Sequence, residues 1–274
     1  MKQGNPGIPA LRAKADRIRG EIVDVCVKNG AGHIAPSLSC VDILVALYYR
    51  VLRRSSDPRW EGRDRLVFSK GHGAYGLYAI LADIGLLPRR DWEAFYRGGP
   101  LSGCVERAVD HGIEAGCGSL GHGLPQAVGI AFAAKLRGRS YRTYCVVGDG
   151  EMQEGSNWEA LQFAAKHRLA ALTVIVDANG LQAMDRLSNI LSPRDSVSDL
   201  VGKIEAFGAR ARACDGHDIK ELVSLLEAGS SGVRPRAIVA RTVKGYGLRC
   251  MEGVPKFHFR IPTPKELRMG KRFP

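Results

Sequence analysis

Two apolar, β-branched runs with a helical stretch between them constrain the fold of this chain more than any other feature. The first run, Val146-Val147, leads into Gly148-Asp149-Gly150, and the second, Val174-Ile175-Val176, leads into Asp177-Ala178-Asn179. Residues 157–167, which lie between the runs, have a helical pattern. Strand, turn, helix and strand in this order give two parallel strands. We therefore expect an α/β fold with a doubly wound, mostly parallel sheet that carries helices on both faces.

Both runs end in a side chain that offers a hard oxygen ligand. Asp149 carries a carboxylate and Asn179 a carbonyl, and 28 residues separate Gly150 from Asn179. In an open parallel sheet, ligands bind outside the carboxyl ends of the strands, where both side chains fall. Mg²⁺ and Ca²⁺ prefer oxygen ligands, and Mg²⁺ rarely takes a complete protein cage. The pair predicts a divalent metal on a diphosphate, although Asp149 alone would equally suit a turn or a helix cap.

The remaining sequence alternates predicted helices with predicted strands, which favours one large domain over residues 1–262. Helices are expected over residues 8–30, 41–52 with Ser39 as the cap, 75–84, 124–136, 201–207 and 219–226, and strands over 66–68 and 237–240. Residues 97–121 and 187–199 have the pattern of loops, and residues 263–274 that of an exposed basic tail.

Composition limits the classes of function that the chain can have. Seven cysteines are scattered along 274 residues without a C-x-x-C pair, which argues against a disulfide framework or a zinc site and favours a reducing cytoplasm. No apolar run is long enough to span a membrane, and the N-terminus lacks the apolar core of a signal peptide. The net charge of +12 comes without aromatic-interleaved basic repeats, so it favours anionic substrates or an acidic partner over nucleic acid.

The glycines at 148 and 150 raise the alternative of a dinucleotide-binding site. That fingerprint requires a third glycine where this chain has Gln153, and Asp149 stands between the first two. A carboxylate aimed at a pyrophosphate repels it unless a metal lies between them. A diphosphate bridged by a metal explains the same residues without this conflict.

Four segments in the same order together resemble the thiamine-diphosphate-binding half of transketolases. The resemblance extends from about residue 12 to about residue 264 and is closest to the N-terminal subunit of split transketolases. The segments are Gly32-His33, the run from Asp64 to His72, Gly118-Ser119-Leu120-Gly121, and the stretch from Gly148-Asp149-Gly150 to Asn179-Gly180-Leu181-Gln182.

The resemblance implies a role for each matching residue. Asp149, Asn179 and the carbonyl of Leu181 would bind Mg²⁺ (or Ca²⁺). Contacts with thiamine diphosphate are implied for His72, Gly118, Leu120, Gly150, Glu151 and Asn179.

Three histidines, His33, His72 and His258, resemble the substrate-facing histidines of the family, and Glu154 resembles the acid at its subunit boundary. Imidazole suits proton transfer because its pKa lies near neutral pH. For each histidine, a structural role in a loop or cap is the alternative. His167 and His217 are expected at the surface, and Cys26 and Cys145 in the core.

The sequence departs from the family pattern near the substrate. Cys104 stands where transketolases commonly carry a donor-contacting histidine, and a thiol is a weak hydrogen-bond donor. His111 and His122 also differ from the usual residues, and either imidazole could replace the missing one. These differences predict a specialised two-carbon transfer rather than general pentose chemistry.

The resemblance also implies a partner, because the carboxylate that activates thiamine diphosphate belongs to the next domain of transketolases. We expect a C-terminal transketolase subunit that carries the pyrimidine-binding domain, in an α₂β₂ assembly acting on sugars or sugar phosphates. Two alternatives stay open at this point: another thiamine-diphosphate-dependent synthase or lyase subunit, or a non-catalytic scaffold homologue.

Overall fold

A parallel β-sheet forms the centre of the protein. The computed structural model describes residues 6–183, 185–191, 196–229 and 232–273. Within these ranges the sheet has five strands, all parallel, in the order β1-β2-β3-β5-β4. The strands are β1 (Arg65–Phe68), β2 (Thr143–Gly148), β3 (Leu172–Ala178), β4 (Arg210–Asp215) and β5 (Arg236–Arg241).

The two central strands are buried along their whole length. Every residue of β2 and β3 is buried, and successive side chains of a strand point to opposite faces of the sheet. Both faces are therefore covered, as parallel sheets require. The predicted α/β fold is confirmed, including the strand–helix–strand unit on which the prediction rested.

Helices fill the connections between strands. Residues 71–73, 109–111, 151–153 and 255–257 form 3₁₀ turns, and residues 47–51 a π-helical turn. The α-helices of the described residues are α1 (Ile8–Asn29), α2 (Ile34–Ser39), α3 (Val41–Ala46), α4 (Ala74–Asp83), α5 (Arg89–Glu93), α6 (Gly123–Leu136), α7 (Gly155–Lys166), α8 (Leu187–Ile190), α9 (Ser196–Ala206), α10 (Ile219–Glu227) and α11 (Pro264–Leu267). No helix among the described residues is both long and apolar enough to cross a bilayer.

The predicted cap at Ser39 is wrong. Ser39 is the last residue of α2, and its hydroxyl donates hydrogen bonds to the carbonyl of Pro36 and to the carboxylate of Asp177. The helix predicted over 41–52 is shorter, because α3 passes into the π-helical turn. The segment has the pattern of one apolar helix because nearly all of it is buried.

Two segments predicted as irregular are ordered. The predicted loop over 187–199 contains α8 and the first turn of α9, apart from residues 192–195, which lie outside the described residues. The predicted exposed tail contains α11, which starts with a capping box between Thr263 and Glu266. Phe273 is buried and packs on the domain, whereas most residues between 263 and 272 are exposed.

Two charged side chains form a buried ion pair at the carboxyl edge of the sheet. Lys70 follows β1, Asp177 lies in β3, and the Lys70 ammonium contacts the Asp177 carboxylate. The same ammonium donates to the Pro36 carbonyl (2.7 Å) and to the Ser39 hydroxyl (2.9 Å). Thr242, just after β5, donates its hydroxyl to the other oxygen of Asp177. One ion pair thus joins α2 to the ends of three strands.

Each partner keeps the other charged. Burial favours the neutral form of Lys70, but the nearby Asp177 carboxylate raises the pKa of the ammonium above its ordinary value. Burial likewise favours protonated Asp177, but Lys70 and the hydroxyls of Thr242 and Ser39 lower the pKa of the carboxyl group. A buried charge is tolerable only when it is paired and hydrogen-bonded in this way.

Lys70→Met should therefore destabilise the protein strongly. Loss of the ammonium leaves the Asp177 carboxylate buried and unpaired, which costs about 3–5 kcal/mol of the free energy of unfolding. Urea denaturation of the full chain measures the loss. The control is Lys203→Met, which removes an exposed pair with Asp199 and should cost less than about 1 kcal/mol. Similar losses for both variants would contradict the assignment.

Candidate active site

The carboxyl edge of β2 and β3 brings the two predicted oxygen ligands together. Gly148 and Asp177 are partners in the sheet register, so Asp149 and Asn179 follow strands that end side by side. Asp149 accepts a hydrogen bond from the backbone N–H of Gly150 (2.8 Å) and another from that of Gly180 (2.6 Å). These bonds fix the carboxylate between the two turns.

The carboxylate of Asp149 is buried and only partly compensated by nearby positive charge. Its side chain is buried, and burial raises the pKa of the carboxyl group to about 7, with a further contribution from the nearby Asp177. Hydrogen bonds from the two glycine amides and the more distant Lys70 only partly oppose this effect. A cation beside Asp149 would stabilise the ionised form. The site is thus suited to a divalent metal.

Asn179 and Leu181 belong to a tight turn at the end of β3. The side-chain oxygen of Asn179 accepts a hydrogen bond from the backbone N–H of Leu181 (3.0 Å). Gly180 between them has φ +72°, a backbone conformation that favours glycine. The turn is tied to the Asp149 carboxylate through the N–H of Gly180, while the role of Asn179 and of the Leu181 carbonyl as metal ligands stays a prediction.

Glu151 serves mainly to hold loops in place. Its side chain is buried, and its carboxylate accepts hydrogen bonds from the hydroxyl of Ser69, from the N–H of Gly121 (3.1 Å) and from the N–H of Gly148 (3.1 Å). These contacts join the end of β1, the segment around Gly121 and the end of β2. The predicted contact of Glu151 with a cofactor stays a prediction.

The loop around Gly118 lies against the segment that carries His72. A side chain at Gly71 would place its Cβ only 2.1 Å from the carbonyl oxygen of Cys117. This close approach requires glycine at position 71. It sets exposed Gly118 and half-buried Leu120 on the same side of the molecule as His72.

His33, His72 and His258 form a cluster, although they are far apart in the sequence. The ring centroids of His33 and His72 lie 4.8 Å apart, those of His72 and His258 4.8 Å, and those of His33 and His258 5.2 Å. The Nδ1 atom of His33 lies 3.1 Å from the hydroxyl of Tyr75 on α4. The structure thus gathers the three predicted histidines at one point.

The cluster is held in the neutral form. Burial lowers the pKa of His33 to about 4 and that of His258 to about 3, and neighbouring positive charges add to both shifts. The pKa of His72 is also lowered, first by burial and then by Lys70 and Lys244. Neutral imidazole has one donor and one acceptor nitrogen, so it can bind a hydroxyl group or take up a proton.

Lys244 completes the site and was not predicted from the sequence. Its side chain is almost fully buried, and its ammonium lies 3.1 Å from the carbonyl oxygen of Gln182 and 3.1 Å from Nδ1 of His258. Burial, followed by the charge of Lys70, lowers the pKa of Lys244 to about 8. A lysine just beyond the carboxyl end of an apolar strand, followed by Gly245 and Gly247, was the available signal.

The remaining predicted residues lie at the margins of this site. Glu154 is exposed at the start of α7, and its proposed place at a subunit boundary stays a prediction. Cys104 is half-buried, and its Cβ lies 3.6 Å from the position that a Cβ at Gly118 would occupy. His111 is engaged elsewhere, because its Nδ1 lies 2.8 Å from the carbonyl of Leu86. His122 is exposed at the start of α6.

Comparison with known proteins gives matches over nearly the whole chain. The family model described as transketolase, thiamine diphosphate binding domain, matches residues 11–263. The chain is 39% identical to one subunit of an apulose-4-phosphate transketolase from Actinobacillus succinogenes, with 98% of each chain covered. It is 38% identical to one subunit of a 6-deoxy-6-sulfo-D-fructose transketolase from Clostridium, over 89% of this chain and 88% of that one.

A solved structure shows the same fold in a longer protein. Transketolase from Campylobacter jejuni superposes with a TM-score of 0.85 at 30% identity, over 95% of this chain and 42% of that chain. The match to human transketolase has the same proportions, with 36% identity over 95% of this chain and 41% of the human sequence. Two kinds of relative are therefore similar to this chain: subunits of its own length, and a part of longer chains.

The depressed pKa of His258 predicts how stability depends on pH. The folded value of about 3 lies below the ordinary value of 6.5, so below pH 6.5 the unfolded chain binds a proton that the folded chain does not. This residue therefore makes the free energy of unfolding fall as the pH drops from about 6.5 toward 3. Asp149, whose pKa is raised, acts in the opposite direction in any variant that retains it.

His258→Asn should consequently lose less stability than the unmodified chain when the pH is lowered from 7 to 5. Urea denaturation at the two pH values gives the two differences in free energy of unfolding. Equal differences would show that His258 is not held neutral by its surroundings.

Proposed function

The chain belongs to the transketolase family, and we propose that with thiamine diphosphate and a divalent cation it transfers a two-carbon ketol unit from a ketose to an aldehyde. One observation carries this proposal. The Asp149–Asn179 turns and the three-histidine cluster lie at the same edge of the sheet, with Lys244 between the Gln182 carbonyl and His258. This arrangement supports the proposal that a metal-bound diphosphate and a set of neutral imidazoles would lie side by side.

The cation and the diphosphate are assigned to the turns that follow β2 and β3. Asp149, Asn179 and the carbonyl of Leu181 would bind Mg²⁺ or Ca²⁺, both of which take oxygen ligands. The backbone of Gly150 and the side chain of His72 would hold the diphosphate, with Gly118 and Leu120 along the ring system. Support comes from the buried Asp149 carboxylate, whose raised pKa a cation would reverse.

When bound, thiamine diphosphate supplies a nucleophilic carbon and an electron sink for cleavage of the bond beside a ketose carbonyl. The protein's part is to orient the sugar and to move protons. Neutral His33 can accept a hydrogen bond from a sugar hydroxyl through Nε2, because its Nδ1 lies against the Tyr75 hydroxyl, which itself donates to the Gly103 carbonyl. The Nδ1 of His258 accepts from the Lys244 ammonium, so its Nε2–H can donate to a sugar oxygen. Lys244, whose pKa is lowered to about 8, places a positive charge where anionic groups or developing negative charge would lie.

We also propose a specialised ketose donor. The two relatives above are named for apulose 4-phosphate and for 6-deoxy-6-sulfo-D-fructose, and both are subunits of this length. Cys104 replaces a donor-contacting imidazole, and burial raises the pKa of its thiol, so it offers neither a proton nor a strong hydrogen bond. The position beside Gly118 consequently offers a donor substrate a weaker polar contact than an imidazole would.

Donor kinetics test this specialisation. The complex of this chain with its C-terminal subunit should have a higher kcat/KM for apulose 4-phosphate or sulfofructose than for xylulose 5-phosphate. If xylulose 5-phosphate were the best donor of the panel, the specialisation would be wrong, although ketol transfer itself would stand.

The partner proposal rests on the surface of α6. Apart from Gln126 and Lys135, both exposed, this helix consists of glycine, proline and apolar residues, yet one side of it is open to solvent. Leu136 is 71% exposed, and Phe163 on α7, 42% exposed, extends the same apolar surface through its ring contact with Phe132. Other residues on the open side of α6 are Gly129, Ile130 and Ala133.

We assign this surface, the α6 face, to the C-terminal transketolase subunit. An apolar patch with few charges is typical of a subunit interface. Glu154, exposed just before α7 and next to Gly121, which lies just before α6, is assigned to the same partner as a separate contact. An α₂β₂ assembly satisfies the family pattern of two cofactor sites.

The proposed location is the cytoplasm. All seven cysteines are free thiols, which suits a reducing compartment.

Asp149→Asn tests the cofactor site. The change keeps the shape of the side chain but removes the charge that binds the cation. Loss of a residue that only hydrogen-bonds to a metal ligand typically lowers metal affinity by about 10–100-fold. Because Asp149 is itself assigned as a ligand, we expect a loss of about 100-fold or more in Mg²⁺-dependent binding of thiamine diphosphate. Calorimetry with Mg²⁺ and thiamine diphosphate, with and without the C-terminal subunit, measures it.

The control for this test is Glu159→Gln, which removes an exposed carboxylate from α7 and should leave binding unchanged. Equal affinities of Asp149→Asn and the unmodified chain would refute the cofactor site.

Leu136→Asp tests the α6 face. An exposed leucine contributes little to the fold, so thermal unfolding should change little, whereas a buried charge at an interface should weaken association about tenfold or more. Light scattering of mixtures with the C-terminal subunit measures association. Val233→Asp, at another exposed apolar residue ahead of β5, is the matched control. Association equally strong in both variants would place the interface elsewhere.

A further inference from the structure

His217 is part of a buried polar cluster outside the catalytic site. The prediction that it lies at the surface is wrong, because its side chain is only 9% exposed. It lies between β4 and α10 and stacks on Tyr246, with ring centroids 3.5 Å apart and planes 10° from parallel. The cluster also contains Asp42 of α3 and Arg19 of α1, both almost fully buried.

The hydrogen bonds of His217 fix its tautomer. Its Nε2 accepts a hydrogen bond from the backbone N–H of Val243 (2.9 Å), and a backbone N–H can only donate. The proton of the neutral ring is therefore on Nδ1, which donates to the carboxylate of Asp42 (2.8 Å). A partner on one ring nitrogen sets the function of the other.

Arg19 holds Asp42 from the opposite side. Its guanidinium binds the same carboxylate oxygen that accepts from His217, and it lies 4.8 Å from the ring centroid of Tyr246. The His217 imidazole is thus held at its edge by the Arg19–Asp42 ion pair and at its face by the ring of Tyr246. A side chain held in this way has little freedom to follow a movement of Val243.

Val243 is the residue immediately before Lys244. On its other side, Thr242 is tied to Asp177 through its hydroxyl and to the carbonyl of Ala178 through its N–H (3.1 Å). The backbone that leaves β5 is therefore fixed at two successive residues. Only after these two contacts does the side chain of Lys244 extend to Gln182 and His258.

We infer that His217 is a positioning residue, which sets the place of Lys244, and through it that of His258, by accepting the Val243 amide. The importance of this placement for ligand binding rests on the proposed function. The placement itself is a property of the protein alone. His217 touches neither the oxygen ligands nor the histidine cluster in the contacts that the described residues make, so it acts only through the backbone.

Two substitutions separate the acceptor from the rest of the side chain. His217→Gln retains an oxygen where Nε2 lies and can still accept the Val243 N–H. His217→Asn retains a donor where Nδ1 lies, and hence the contact with Asp42, but is too short to reach Val243. Both substitutions remove the aromatic stack on Tyr246. A purely structural role of His217 therefore predicts that the two variants change Val243 exchange and Lys244 labelling equally.

Amide hydrogen exchange and lysine labelling test the inference on the full chain without cofactor. We expect the exchange rate of the Val243 amide to rise about tenfold in His217→Asn, the effect expected from the loss of one hydrogen bond. In His217→Gln the exchange rate should stay within about threefold of that in the unmodified protein. The rate of Lys244 acetylation at pH 8, followed by mass spectrometry, should change in the Asn variant and be restored in the Gln variant. Thermal unfolding checks that both variants are folded.

The affinity for Mg²⁺ and thiamine diphosphate supplies the link to function. It should fall about tenfold in His217→Asn and less than about threefold in His217→Gln. Equal exchange of Val243 in the two variants, or Lys244 labelling that ignores both substitutions, would overturn the inference. If the unmodified protein with its partner bound no thiamine diphosphate, the proposed function would fail, while the exchange and labelling results would still decide the role of His217.

Discussion

The buried ion pair between Lys70 and Asp177 is the interaction on which the geometry of the active site depends. A lysine and an aspartate are costly to bury. Here each charge stabilises the other, but only while α2, β1, β3 and the residues after β5 keep their relative positions. The pair thus demands a particular arrangement of four segments. Each of those segments adjoins a residue of the site: His33 lies just before α2, and His72, Asn179 and Lys244 follow β1, β3 and β5.

The charges of the site follow from this arrangement. Lys70 lies close enough to lower the pKa of His72 and Lys244, and Asp177 close enough to raise that of Asp149. Burial is the main cause of these shifts, and the ion pair adds to it at His72, His258, Lys244 and Asp149. Lys70 and Asp177 thus contribute both to the stability of the fold and to the pKa values of the site. A substitution of either residue should change both properties.

Much of this could be predicted from local sequence pattern. The β2–α7–β3 unit was correct because two buried parallel strands have a continuous apolar pattern, and because ligands bind at their carboxyl ends. The meeting of His33, His72 and His258 came from family resemblance alone, since nothing in their spacing brings them together.

The errors share one physical cause, which is the dependence of a polar residue on partners far away in the sequence. Ser39 looked like a helix cap but bonds to Asp177, 138 residues later. His217 was predicted at the surface, but Asp42 and Tyr246, which are distant in the sequence, enclose it. Lys244 had no local pattern beyond its place after β5. The burial of Phe273 likewise depends on residues distant in the sequence, such as Gly247.

The open side of α6 has a consequence for how such a protein is made in the cell. An apolar surface without its partner binds other apolar surfaces, including further copies of the same chain and chaperones. Surplus chains would therefore be removed or aggregate, and the amount of functional enzyme would follow the scarcer of the two polypeptides. Under the proposed assignment of the α6 face, the surface chemistry of one helix would favour balanced synthesis of the two polypeptides.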